Sequence, residues 1–412
     1  METLRLTIKD FDTDGYYNGS VDVANFDGNI EIDTGESWCR FKTSIRASGY
    51  IESKGSVHSA GDINSHGYIN SGGDIKSFGD INSVGYINSS GGGIKSSGGI
   101  SSGGDINSFG DINSGGYIKS FGGGIKSSGG IRSRGDINSR DFINSSGGGI
   151  KSSGGIRSGG DINSFGDINS VGYIKSGGGI KSSGGISSHG DIKSFGDINS
   201  VGYIISSGGG IKSSGGISSG GDIKSFGDIN SVGYINSSGG GIKSSGGISS
   251  GGDINSRDFI NSSGGGISSG GDINSRGGII SGGDIKSFGD IHSVGYIASG
   301  GYINSIGHIH SAGDIKSGDY IDSGGDIEAT GGIKSGGDIV SVGGIKSGGD
   351  INSRGDINSG GSVHSGGHIE SGDYIYSRGF INSGGLVTCK KLRSGEVASG
   401  ELVETTIVNQ TG

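Results

Sequence analysis

Residues 61–78 read Gly-Asp-Ile-Asn-Ser-His-Gly-Tyr-Ile-Asn-Ser-Gly-Gly-Asp-Ile-Lys-Ser-Phe, with an aliphatic residue at Ile63, Ile69 and Ile75. A spacing of six cannot trace one stripe along a helix of 3.6 residues per turn, and interior helix positions filled with glycine cost about 1 kcal/mol each. As a short strand followed by a corner, Gly61-Asp62-Ile63-Asn64-Ser65-His66 places Gly61, Ile63 and Ser65 on one face and Asp62 and Asn64 on the other. The inward set is one aliphatic and two small residues. That suits a narrow prism whose faces are single strands.

The same spacing begins at Ile45 and runs to Val387, giving fifty-seven aliphatic positions. Six steps are seven residues long, the first from Ile87 to Ile94 and the last from Ile260 to Ile267, and each holds a Gly-Gly-Gly run. The extra residue is expected to be a bulge at a corner where glycine adopts positive φ. No longer insertion interrupts the series. Composition agrees: 99 of 412 residues are glycine, none is proline, and 29% are hydrophobic, which excludes a conventional globular core as well as collagen. The predicted fold is all-β, a single-stranded β-solenoid (β-helix) with short β caps. Tyr50, Tyr68 and Tyr86 recur every 18 residues, each before a core Ile, so a triangular coil of 18 residues is expected; a flattened coil of 12 is the alternative. At about 4.8 Å per coil, 19 coils predict a rod about 90 Å long.

Three segments are expected: an N-terminal β cap at 1–44, the solenoid at 45–387 and a C-terminal cap or changed coil at 388–412. The first holds the single Trp38, and beyond Val387 the aliphatic spacing shortens to five through Leu392, Val397, Leu402 and Ile407. Between Ile94 and Ile267 similar blocks recur about every 31 residues. Five units do not divide by three, so the blocks fall on successive faces and read as tandem duplication.

A net charge of −9 argues against nucleic acid as a partner, and the run Lys390, Lys391, Arg393 reads as a solvated face. No signal peptide and no stretch of 18 apolar residues is visible, so no membrane span and a cytoplasmic location are expected, with a virion or cell surface as the alternative. Cys39 and Cys389 are too few for a disulfide framework. Left-handed β-helix acyltransferases also use six-residue units, but they add projecting loops and a catalytic histidine in a cleft. This chain has neither loop nor nucleophile elbow, so no enzyme activity and no cofactor are expected.

Two sets of outward residues are candidate sites. With 18 residues per coil, Asp290 and His292 stack beneath His308 and His310, and these beneath Asp326 and Glu328. Imidazoles and carboxylates at strand spacing make His292, His308 and His310 candidate metal ligands. The ladder Tyr50, Tyr68, Tyr86 is a candidate binding platform for a carbohydrate, or else a cross-strand stack that stiffens the sheet.

From Ser44-Ile45-Arg46-Ala47-Ser48-Gly49-Tyr50-Ile51-Glu52-Ser53 through the Gly-Asp-Ile-Asn-Ser units, the chain resembles the core of bactofilins, polymer-forming β-helical cytoskeletal proteins of bacteria. Its low-complexity style is also similar to repeat proteins of large DNA viruses and to phage fibre shafts. The bactofilin resemblance implies end-to-end assembly into a nucleotide-free filament, with the chain itself as the main partner. The expected function is a structural, non-catalytic rod that self-associates or acts as a rigid spacer; the alternative is a surface or virion fibre that binds a glycan or receptor.

Overall fold

The computed structural model describes residues 1–403 and 406–407, with side chains described through residue 395. The chain forms two compact units, Met1–Gly208 and Gly209–Gly412. Both are parallel β-solenoid, in total about 20 turns of roughly 18 residues.

In the first unit each repeat contributes one three-residue strand, from the Ile to the Ser of the motif. Six strands open the series: β1 (Glu2–Thr7), β2 (Gly28–Asp33), β3 (Trp38–Phe41), β4 (Ile45–Ala47), β5 (Ile51–Ser53) and β6 (Ser56–Ser59). Each later strand pairs in parallel with the third one along, Ile on Ile and Ser on Ser, as Ile45 with Ile63 and Ile63 with Ile81. Three strands per coil settle the triangular form over the flattened one. The pairing is in register because a slip of one residue would turn every Ile outward. All core Ile side chains are fully buried or nearly so, and the Ser at the strand end is buried beside them.

The long steps leave this register intact. Ile75 pairs with Ile94, nineteen residues on, so the extra residue sits in the corner and not in a strand. The expected positive φ is not found there: among the described residues only Gly15, Gly28 and Gly35 have it, all ahead of the repeats. Close approach explains the glycine instead. A Cβ on Gly91 would run into the carbonyl oxygen of Gly72 in the preceding coil, and one on Gly122 into that of Gly103. Corners stack backbone on backbone, which leaves no room for a side chain.

Pairing crosses both expected segment boundaries. β1 lies on β2, β2 on β5 and β3 on β6, so the coil is already present before Ile45. Between β1 and β2 the chain makes one 3-10 turn, Ile8–Asp10, and then covers two faces with irregular backbone. The Arg40 carbonyl accepts the N–H of Tyr17 while the Arg40 N–H donates to the Gly15 carbonyl, and the Arg46 carbonyl accepts the N–H of Phe26 while the Arg46 N–H donates to the Val23 carbonyl. Phe11 packs edge to face on Tyr17 and Phe41, and Tyr17 lies tilted against Phe41, with centroids 5.6–5.8 Å apart, which fastens the cover to β3.

The second unit repeats the pattern from Ile211, which pairs with Ile229. Past Ser371 strand pairing runs on through the corners, giving the long strands Tyr374–Thr388 and Lys391–Val403, the first of which pairs with all three faces of the coil before it. Here Ile375 pairs with Leu392, Ile381 with Val397 and Val387 with Leu402, and Leu392 pairs with Ile407. The coil therefore tightens from 18 residues toward 15, as five-residue units in threes require. The side chains of Val397, Leu402 and Ile407 lie outside the described residues.

Candidate functional site

Every candidate residue stands directly before or directly after a core Ile, so all of them line the outer faces of the coils. Rings at Tyr50, Tyr68 and Tyr86 stack with centroids 4.8 and 4.9 Å apart and are parallel within 3°. Tyr50 Oη donates to Glu31 Oε1 at 2.6 Å, and Tyr68 Oη donates to Glu52 Oε2 at 3.3 Å. Burial and the neighbouring Glu52 push the Tyr68 hydroxyl up to about 12. A sugar docks on the open face of an aromatic ring. Stacked rings cover one another's faces, and Tyr50 and Tyr68 spend their hydroxyls on carboxylates, so the geometry joins coils; Tyr86, at the end of the stack, is the exposed member. Tyr302 and Tyr320 make a second stack at 4.9 Å that the sequence reading passed over.

The histidines also stack. His292 and His310 pair across adjacent coils with rings 4.9 Å apart and 5° from parallel. His310 Nδ1 lies 3.5 Å from Glu328 Oε2, and Glu328 Oε1 accepts from Lys346 Nζ at 2.7 Å. That lysine holds the Glu328 carboxyl below the usual range. His308 stands on the other side of Ile309. Its Nδ1 accepts the backbone N–H of Asp326 at 2.9 Å, which uses the lone pair a metal would need. Among the described residues no three His, Cys, Asp or Glu side chains gather into a group that could hold a metal ion. The metal expectation for His292, His308 and His310 therefore has no cluster to rest on.

His308 exposes a device running through the whole fold. The residue before each Ile sits at a corner, and when it is Asp its Oδ1 accepts the backbone N–H one coil further on. One edge of the second unit carries an unbroken run: Asp253 accepts from Asp272, Asp272 from Asp290, Asp290 from His308, His308 from Asp326, and Asp326 from Gly344, at 2.6–3.0 Å. His308 thus stands in for an aspartate. His368, which accepts from Leu386 at 2.9 Å, does the same. The signal was present as the recurrent Gly-Asp-Ile, but its spacing showed only that Asp lies on the face away from the core.

Ser hydroxyls form the inner counterpart. Ser71 Oγ donates to the carbonyl of Gly55 at 2.7 Å and Ser176 Oγ to that of Gly160 at 2.6 Å, in each case one coil back. Serine at this position is therefore a bonded element and not merely a small filler. Both cysteines are buried, Cys39 with its Sγ 2.9 Å from Thr34 Oγ1, and burial pushes both thiols up. No helix among the described residues is long and apolar enough to cross a membrane.

Compared with known protein families, with curated proteins and with solved structures, the chain has no match. The likeness to bactofilins accordingly extends to the repeat β-helical coil and no further.

Proposed function

We propose that the chain is a structural, non-catalytic solenoid that serves as a rigid spacer. One observation carries this reading: the recurring Ser at the strand end and the recurring Asp at the corner are spent on joining one coil to the next. The buried Ser hydroxyls donate to corner carbonyls, and the corner Asp carboxylates accept main-chain N–H groups. A serine held inside in this way is not available as a nucleophile. The backbone of residues 11–27 that covers β3 and β4 favours a spacer over stacking through that end, because covered strand edges cannot accept another chain.

Electron microscopy of the purified full chain tests the proposal. Discrete particles of uniform length are the expected result. Filaments many particle lengths long would overturn the spacer reading in favour of the end-to-end assembly that the bactofilin resemblance implies.

A further inference from the structure

One face of the first unit carries cations in register. The residues that follow the core Ile pair in the order Lys76, Lys95, Asn113, Arg132, Lys151. Strands about 4.8 Å apart put Lys76 against Lys95 and Arg132 against Lys151, and like charges directly opposite destabilise a sheet. At three other places lysine at this position is neutralised locally. Lys193, Lys224 and Lys316 each bind the Asp two residues earlier at 2.6–2.9 Å. Ahead of Lys95, Arg132 and Lys151 that residue is Gly93, Gly130 or Gly149. All three cations are exposed, and none has an ion pair or a side-chain hydrogen bond among the described residues. At Lys95, Arg132 and Lys151 the glycine at that place supplies no carboxylate, and the charge stays open.

A groove of roughly 490 Å³ runs beside Arg132 and Lys151, with Asn113 at one end and the bare glycine corners at 129–130 and 147–149 along its side. Asp111 and Asp167 also line it, but each Oδ1 is tied to a backbone N–H, of Gly130 at 2.7 Å and of Gly185 at 2.8 Å. The positive potential registers one step further along the face. His58, which pairs with Lys76, has its pKa lowered by burial and by that lysine.

We propose that this face binds a single strand of acidic polysaccharide lengthwise. Its carboxylate or sulfate groups lie against Lys95, Arg132 and Lys151, and a hydroxyl lies against the amide of Asn113. The strip is one strand wide, and Lys76 to Lys151 spans about 19 Å at strand spacing, enough for a few sugar units. A nucleic acid fits less well: no aromatic ring stands among Lys95, Asn113, Arg132 and Lys151 to stack a base.

The test titrates the full chain by calorimetry with heparin oligosaccharides, oligogalacturonate, neutral dextran and oligothymidylate. Binding of either acidic glycan, weakening as salt is raised, with none of dextran, is expected; the two acids separate sulfate from carboxylate. A triple variant, Lys95→Asn, Arg132→Asn and Lys151→Asn, installs the residue already present at Asn113. It is expected to bind at least tenfold more weakly while melting at the same or a higher temperature, since the like-charge contacts are gone. Lys126→Asn with Lys181→Asn, on another face, is expected to leave binding unchanged. The proposal is overturned if neither acidic glycan binds, if the triple variant binds as well as the natural chain, if the control pair loses as much, or if oligothymidylate binds more tightly than both glycans. A lower melting temperature for the triple variant would also overturn it, by showing that the cations serve the fold.

Discussion

The buried serines show how much one hydroxyl contributes in a repeat that has little else to bury. Ser71 is fully enclosed, and its bond to the Gly55 carbonyl is one of a column of such bonds between coils. Ser71→Ala keeps the volume and removes the donor, so a loss of about 1 kcal/mol is expected in chemical denaturation. The carbonyl keeps a longer contact with the N–H of Gly73, which holds the cost at that level. A core isoleucine is far less forgiving. Ile229 is fully buried between Ile211 and Ile248, and Ile229→Asp replaces apolar contacts with an unpaired carboxylate. A loss of more than about 4 kcal/mol is expected from the sum of the two effects. An unchanged melting profile would place residue 229 outside the core.

At the scale of the element, the column through β3 and β6 and the corner aspartates give the protein two separate acid responses. His58 on β6 packs under Trp38 with ring centroids 4.3 Å apart, between Arg40 and Lys76. Burial, then Lys76, lower its pKa from the ordinary 6.5 to about 4, with Asp74 pulling weakly the other way and Arg40 adding to the shift. Between those values the unfolded chain takes up the proton and the folded chain does not, so stability falls as pH drops from 6.5 to about 4. Asp222 and Asp314 answer later. Each is held below the usual carboxylate range, first by the lysine two residues on and then by a backbone N–H of the next coil. Their contribution is complete above the unfolded carboxylate pKa and is lost as pH falls through the lower folded value. Melting temperature against pH is therefore expected to fall in two stages. His58→Gln is expected to abolish the upper stage alone, and a variant that keeps both stages would assign the upper one to another group.

For the molecule as a whole, the proposed spacer role rests on the cover over β3 and β4. Deleting residues 1–27 removes β1 and that cover and bares the edges of β2, β3 and β4. Sedimentation velocity is expected to show larger, concentration-dependent species, with circular dichroism per residue little changed. If the deleted form sediments as a monomer, the cover does not control association. No short internal fragment is expected to fold alone, because each strand finds its partners only in the coils above and below.

The six-residue spacing by itself determined the fold class, the buried Ile and Ser and the harmless long steps, because a narrow prism has one inward pattern and the chain repeats it without a break; the tyrosine spacing favoured a coil of 18, and the strand pairing settled it over a coil of 12. Spacing also placed Tyr50, Tyr68 and Tyr86 and His292 and His310 in stacks, since stacking follows from residue count alone. Three further matters needed the tertiary structure. Gly91 owes its presence to the carbonyl of Gly72 and not to its own φ, a relation between coils that no local motif records. Corner Asp and His308 read from sequence as solvated or metal-binding groups, yet the N–H one coil on had already claimed them. Whether a cation is neutralised or left open, as at Lys346 beside Glu328 and at Lys151, depends on which residues the coil length brings alongside. Spacing along the chain sets what a repeat buries, and only the stacking of coils decides which of its polar groups remain free.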